Sequence, residues 1–144
     1  MAKKIESTPL KGQVQYINPP TLHHNPAFTN VVTVTGKVKT IYVGGQNAVD
    51  TSGAIVGKGD FKAQTEQTLR NVLAALEAGG AQLEHVVKWN VYIVQGQSLQ
   101  EGFAAFQQVW GNRPNPSTIS SLFVVGLAHP DFLLEIEAIA VVPE

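Results

Sequence analysis

Two glutamates near the C-terminus, Glu135 and Glu137, stand at positions i and i+2 in the apolar stretch from Phe132 to Val142. In extended backbone this spacing points both carboxylates to one face, about 6.5–7 Å apart. Two carboxyl groups so placed can share acid/base work, as in glycoside hydrolysis. The same pattern also arises when each carboxylate is satisfied by a lysine, a hydroxyl or backbone amides at a subunit interface. Apolar neighbours raise a carboxyl pKa unless the group is paired. A second candidate is Gly44-Gly45-Gln46 at a strand end, where glycine lets a ligand approach backbone N–H groups or simply allows a tight bend.

Other chemistries find no support. Neither a G-x-G-x-x-G nor a G-x-x-x-x-G-K-[ST] nucleotide cradle occurs. His23 and His24 are adjacent, so their side chains diverge, and no cysteine or nearby acid completes a ligand set; no metal or cofactor is expected. Ser117, Ser120 and Ser121 lack a nucleophile elbow and a histidine partner. His85 and His129 lie at element boundaries. The chain has no cysteine, which excludes disulfides and thiolate chemistry.

The chain has 144 residues, with ten Lys plus Arg against eleven Asp plus Glu. That length fits one domain, 1–144, able to bury roughly 68–70% of the surface its unfolded chain exposes. The balanced charge lacks the basic footprint of a nucleic-acid binder. The start, MAKKIESTPLKG, has no apolar core behind its basic residues and does not read as a secretory signal. The longest apolar run, Leu122 to Ala128, is far below the ~20 residues of a membrane helix. The expectation is a cytoplasmic protein with no membrane contact.

The elements that position the candidates follow from periodicity and punctuation. Residues 1–25, with Pro9, Pro19 and Pro20, read as an irregular N-terminal segment, and the irregularity extends to about 30. Val32 and Val34 alternate with Thr33 and Thr35 until Gly36, and Thr40–Val43 is β-branched and aromatic. Asp50–Gly53 is a turn, and Ala54–Val56 reads as a short return strand. Asp60 caps a helix over Phe61–Ala78 whose Leu69, Val72, Leu73 and Leu76 form one stripe, and Gly79-Gly80 stops it. Val86–Val94 is a strand with Val87, Trp89, Val91 and Ile93 on one face. Its other face carries Val86, Lys88, Asn90, Tyr92 and Val94.

Ser98–Glu101 is a capping box that opens a second helix, with Phe103, Phe106 and Trp110 as its core face and Gly111 as its stop. After the rigid Asn112–Pro116 connector, Ser117–Leu127 reads as a strand. Phe132–Val142 is the last, with Phe132, Leu134, Ile136, Ala138, Ala140 and Val142 on the face opposite Glu135 and Glu137. Two helices on one face of a mixed sheet define an α+β fold. The other sheet face remains rich in Val, Ile, Tyr and Trp, which predicts oligomerisation through the sheet.

The segments Tyr42–Gln46, Gln64–Gly80, Val86–Lys88, Arg113–Ser117 and Glu135–Val141 together resemble the RidA/YjgF family of enamine/imine deaminases. The resemblance runs from about Pro26 to Val142. It implies a chorismate-mutase-like fold and a homotrimer with its sheets packed inward, binding a small molecule in clefts between subunits. It places the family's acid on Glu135, its N-terminal aromatic on Phe28, and its substrate-contacting glycine on Gly45 with Gly44 beside it. Gln107 is the polar helix residue facing the site, and Ser117 and Thr118 begin the strand that lines it. The family's carboxylate-gripping arginine position is Pro116, which has neither charge nor N–H. The resemblance thus implies hydrolysis of a small imine or enamine with Glu135 as acid/base, though not efficient deamination of 2-imino acids. Its alternative is a non-catalytic binding trimer. Arg113 reaches the cleft only if the connector folds back.

Overall fold

The computed structural model describes residues 2–3 and 10–144. Six strands and two long helices follow in order: β1 (Gln13–Ile17), β2 (Val31–Thr35), β3 (Val38–Gln46), α1 (Phe61–Ala78), β4 (Val86–Val94), α2 (Leu99–Trp110), β5 (Thr118–Val124) and β6 (Leu134–Pro143). The main sheet has the order β3-β6-β4-β5; β4 and β5 are parallel and the other pairs antiparallel. β1 and β2 form a separate antiparallel ribbon. No helix among the described residues is long and apolar enough to cross a membrane.

The α1 boundaries agree with its sequence signals. Asp60 Oδ1 accepts the Ala63 N–H at 3.0 Å, filling one of the orphan donors of the first turn. At the far end Gly80 takes φ +80° and the Ala81 N–H returns to the Leu76 carbonyl at 2.8 Å. Leu69, Val72 and Leu76 are buried against Trp89 and Ile93 of β4 and Leu134, Ile136, Ala138 and Ala140 of β6. The helices therefore cover one face of the mixed sheet, as the patterning required.

Four local expectations are corrected. The segment read as irregular contains β1, paired residue by residue with β2 from Gln13↔Thr35 to Ile17↔Val31; residues 1 and 4–9 of that segment lie outside the described residues. Its short run QVQYI is polar on one face, and only the distant β2 makes it a strand. β5 ends at Val124, well before Leu127, because β4 ends at Val94 and offers no ladder beyond it. Ala54–Val56 forms only a single bridge, Val49↔Ile55. Val86 lies in the core, fully buried. The pairing shifts between Val86↔Ala140 and Lys88↔Ile139, so a register irregularity turns Val86 away from the Tyr92 face.

Gln64 joins two loops inside the fold, the one before α1 and the one before β6. It is fully buried; its Nε2 donates to the carbonyls of Gly57 (3.2 Å) and Asp131 (2.9 Å), and its Oε1 accepts the Leu133 N–H at 3.0 Å. Gln64→Leu keeps the bulk but strands two carbonyls and one N–H in the interior. The expected loss of unfolding free energy is about 2–4 kcal/mol, read from the urea midpoint at unchanged m-value. A loss under about 0.5 kcal/mol would show that these groups find water instead.

Candidate functional site

On β6 the alternation sends Leu134, Ile136, Ala138 and Ala140 to the helices and Glu135, Glu137 and Ile139 to the open face. There the two glutamates differ in environment. Glu137 Oε1 accepts the Tyr92 hydroxyl at 2.7 Å and the Asn90 Nδ2–H at 3.0 Å. Both donors come from β4, where Asn90 lies opposite Glu137 and Tyr92 opposite Glu135. Glu135 makes no side-chain hydrogen bond or ion pair among the described residues. Instead its carboxylate lies against the Gly45 backbone: a Cβ built on Gly45 would sit 2.7 Å from Glu135 Cδ and Oε2.

A β-bulge arranges that contact. The β3–β6 register passes from Val43↔Ala138 to Gln46↔Ile136, so Gly44 and Gly45 occupy the irregular stretch. Gly44 faces open space. The result is a carboxylate with unengaged oxygens beside accessible glycine backbone, next to a phenol held by the second carboxylate. The hydrogen bond to Glu137, then desolvation, then the negative charges of Glu137 and Glu135 raise the Tyr92 pKa above the ordinary phenol value.

The other sequence candidates are distributed differently. Thr118 lies opposite Lys88 in the ladder and donates its hydroxyl to the Val87 carbonyl at 2.6 Å. Ser117 is buried and donates to the Val86 carbonyl at 2.6 Å. Both hydroxyl protons are therefore engaged in fastening the start of β5 to β4. Phe28 lines a chamber on the helix side of the sheet, away from Glu135. Gln107 is half-buried on α2, where its carbonyl accepts the Gly111 N–H. Within one chain, Glu135, Gly44 and Gly45 come together, whereas Phe28 and Gln107 do not join them.

Arg113 does not approach the glutamates. Its guanidinium donates to the carbonyls of Val109 (3.1 Å) and Trp110 (2.8 Å) and lies 3.5 Å from Glu84. Those carbonyls are orphan acceptors at the end of α2, where a cation is favoured. Among the described residues no three His, Asp or Glu groups gather in a metal-binding arrangement.

Tyr92 and Asn90 are site residues that the sequence did not single out. Their signal was the shared parity of Asn90 and Tyr92 on a strand otherwise apolar. Using it requires knowing that β4 pairs with β6, which is not a local property.

These features place the chain among small α+β proteins with a polar site on an uncovered sheet face. Residues 22–142 match the family model described as endoribonuclease L-PSP. The chain belongs to that family, the RidA/YjgF family. A RutC family protein from Pyrococcus horikoshii is 36% identical over 101 residues, 69% of this chain and 77% of the relative. The crystal structure of a Rid protein family member from Yersinia pestis superposes with TM-score 0.78 at 31% identity, covering 88% of this chain and 97% of that one. E. coli TdcF, solved with bound serine, superposes with TM-score 0.64 at 29% identity, covering 71% of this chain and 80% of its own.

The Tyr92–Glu137 pair has a measurable signature. A phenol whose folded pKa is raised contributes stability below its unfolded pKa, and that contribution is lost as pH rises through the folded value. Ultraviolet titration of the wild type should show Tyr92 ionising above the ordinary value of 10.0. Glu137→Gln removes the carboxylate and should bring that step down towards it. Superposable alkaline titrations of the two proteins would rule out the pairing.

Proposed function

We propose that the open sheet face forms small-molecule clefts between the subunits of a cytoplasmic homotrimer. There a neutral imine or enamine is hydrolysed, with Glu135 as general acid and base. The observation that carries this reading is the asymmetry of the two glutamates. Glu137 is held by Tyr92 and Asn90, while Glu135 keeps its oxygens unengaged beside Gly45. A carboxylate left unengaged on a structured face is suited to proton transfer, whereas its doubly bonded neighbour is suited to support. Family membership supports a small-molecule site, and one relative, TdcF, holds serine.

In the proposed reaction a water molecule adds to the carbon of the C=N bond. Glu135 takes the proton from that water and delivers it to the nitrogen. Glu135 then takes the hydroxyl proton of the resulting carbinolamine and passes it to the nitrogen, the C–N bond breaks, ammonia leaves, and a carbonyl compound remains. Gly44 and Gly45 offer backbone to the substrate, and Thr118 borders the same face. Phe28 and Gln107 would join this cleft from a neighbouring subunit. The exposed Tyr42 (78%) and Leu122 (54%) on the open face favour such an assembly.

A second reading, binding without turnover, is favoured by one observation. Pro116 stands where the family's arginine is expected and Arg113 is engaged at the end of α2, so the site lacks a carboxylate fork.

Ammonia release from imines generated in situ separates the two. The enzyme reading expects acceleration of at least one neutral imine, with Glu135→Gln reducing it by about 10²–10⁴. Gly45→Ala should push the Glu135 carboxylate aside and lower the rate by roughly tenfold, with little change in melting temperature, since the displaced group is the end of a flexible side chain. Saturable binding with no release above buffer for a broad imine panel would favour the second reading. Light scattering should give the mass of three chains; a monomer would defeat both.

A further inference from the structure

The helix side of the sheet holds a chamber of about 630 Å³, a volume typical of small-molecule sites. Its walls come from α1, α2, β4, β5 and β6, and from the loop that carries Phe28. Among the described residues no charged side chain lines it. It lies on the opposite side of the sheet from Glu135 of the same chain; the Phe28 loop is the one wall it shares with the cleft proposed above.

α2 borders the chamber, with packing contacts on both sides of Phe103. Near its start, Gly102 packs on the Phe61 ring, where a Cβ would lie 3.2 Å from Cε1. Towards its end, Phe106 meets Trp89 edge-to-face with centroids 5.6 Å apart and stacks on Trp110 at 6.0 Å. Phe103, expected in the core from its spacing, remains 47% exposed and lines the space with Leu99 and Ile119. Trp110 is buried as expected.

We infer that this chamber is a binding site for a small, neutral, largely apolar molecule carrying one polar group. An ionised ligand would enter without a counter-charge, which a low-dielectric wall disfavours. The polar group follows from Trp89 in the wall, whose buried indole N–H has no acceptor among the described residues and is sensitive to any change there; Ser121, exposed on β5 opposite Val91, lines the solvent side of the chamber. By contrast, the Trp110 indole donates to the Arg113 carbonyl at 3.0 Å and serves as an internal reference.

The probe is acetophenone, neutral and aromatic with a single carbonyl, titrated into the full chain and followed by the two indole N–H resonances in a ¹H–¹⁵N spectrum. One resonance, the one absent from Trp89→Phe, should move saturably while that of Trp110 stays in place. Benzoate, of similar size but ionised, should bind roughly tenfold more weakly or worse. Ser121→Phe, which fills the chamber, and Phe103→Arg, at an exposed position, should each weaken acetophenone by roughly tenfold or more. Glu135→Gln should bind it like the wild type, so failure of the proposed hydrolysis would leave this result intact. The inference is overturned if neither resonance responds at the solubility limit, if benzoate matches acetophenone, or if both chamber variants bind normally. It is also overturned if Phe103→Arg changes the assembly mass while acetophenone does not bind, because the chamber is then a contact between copies.

Discussion

The period-two alternation of β6 is the constraint on which the rest depends. This strand is hydrogen-bonded on both sides, to β3 and to β4. Its even residues form the floor of the core, and its odd residues carry the polar row. A one-residue slip would exchange the two sets, sending Glu135 and Glu137 under the helices and Leu134 and Ile136 into water. Burial of Leu134 and Ile136, each contributing about 1.5–3 kcal/mol, therefore fixes the direction of both carboxylates. The direction of the carboxylates and the stability of the core are specified by the same ten residues.

A network of side chain-to-backbone bonds then locates the loops around that strand. Asn71 donates from α1 to the carbonyls of Asn47 and Val49, both at 2.8 Å. Asn47 in turn donates to the Leu134 carbonyl at 3.0 Å. The chain leaving the glycine bulge is thereby tied both to the helix and to the start of β6, one residue from Glu135. Buried carbonyls need such partners, and here meeting that need also holds the bulge against the carboxylate.

Sequence patterning revealed the elements whose signals are local. α1 carries an N-cap, an apolar stripe and a glycine stop within one window, and seven of the nine β4 residues are β-branched or aromatic. The facing of Glu135 and Glu137 needed only the strand period. What escaped was non-local. β1 is a strand only because β2 pairs with it, and Val86 turns inward only because of a register shift against β6. The division of labour between the glutamates rests on Asn90 and Tyr92, some 45 residues away in sequence. Phe103 matched the helical period of its neighbours, yet it remains 47% exposed at the edge of the chamber while Phe106, one turn on, meets Trp89.

The connector before β5 is fastened to the loop that carries Phe28. The Pro116 carbonyl accepts the Thr29 hydroxyl, and the Ser117 carbonyl accepts the Thr29 N–H at 3.1 Å. Asn115 adopts φ +58°, a left-handed conformation that asparagine tolerates better than most residues. The segment is thus shaped to brace the loop that carries Phe28, and a proline serves that bracing without presenting a charge. Arg113 neutralises helix carbonyls instead. On the open face Lys88 donates its Nζ–H to Ser120 at 3.0 Å, beside the two carboxylates of β6. On the proposed reading, such a face sets two negative charges against an anionic ligand and offers it no arginine fork among the described residues, whereas a neutral ligand meets no such repulsion.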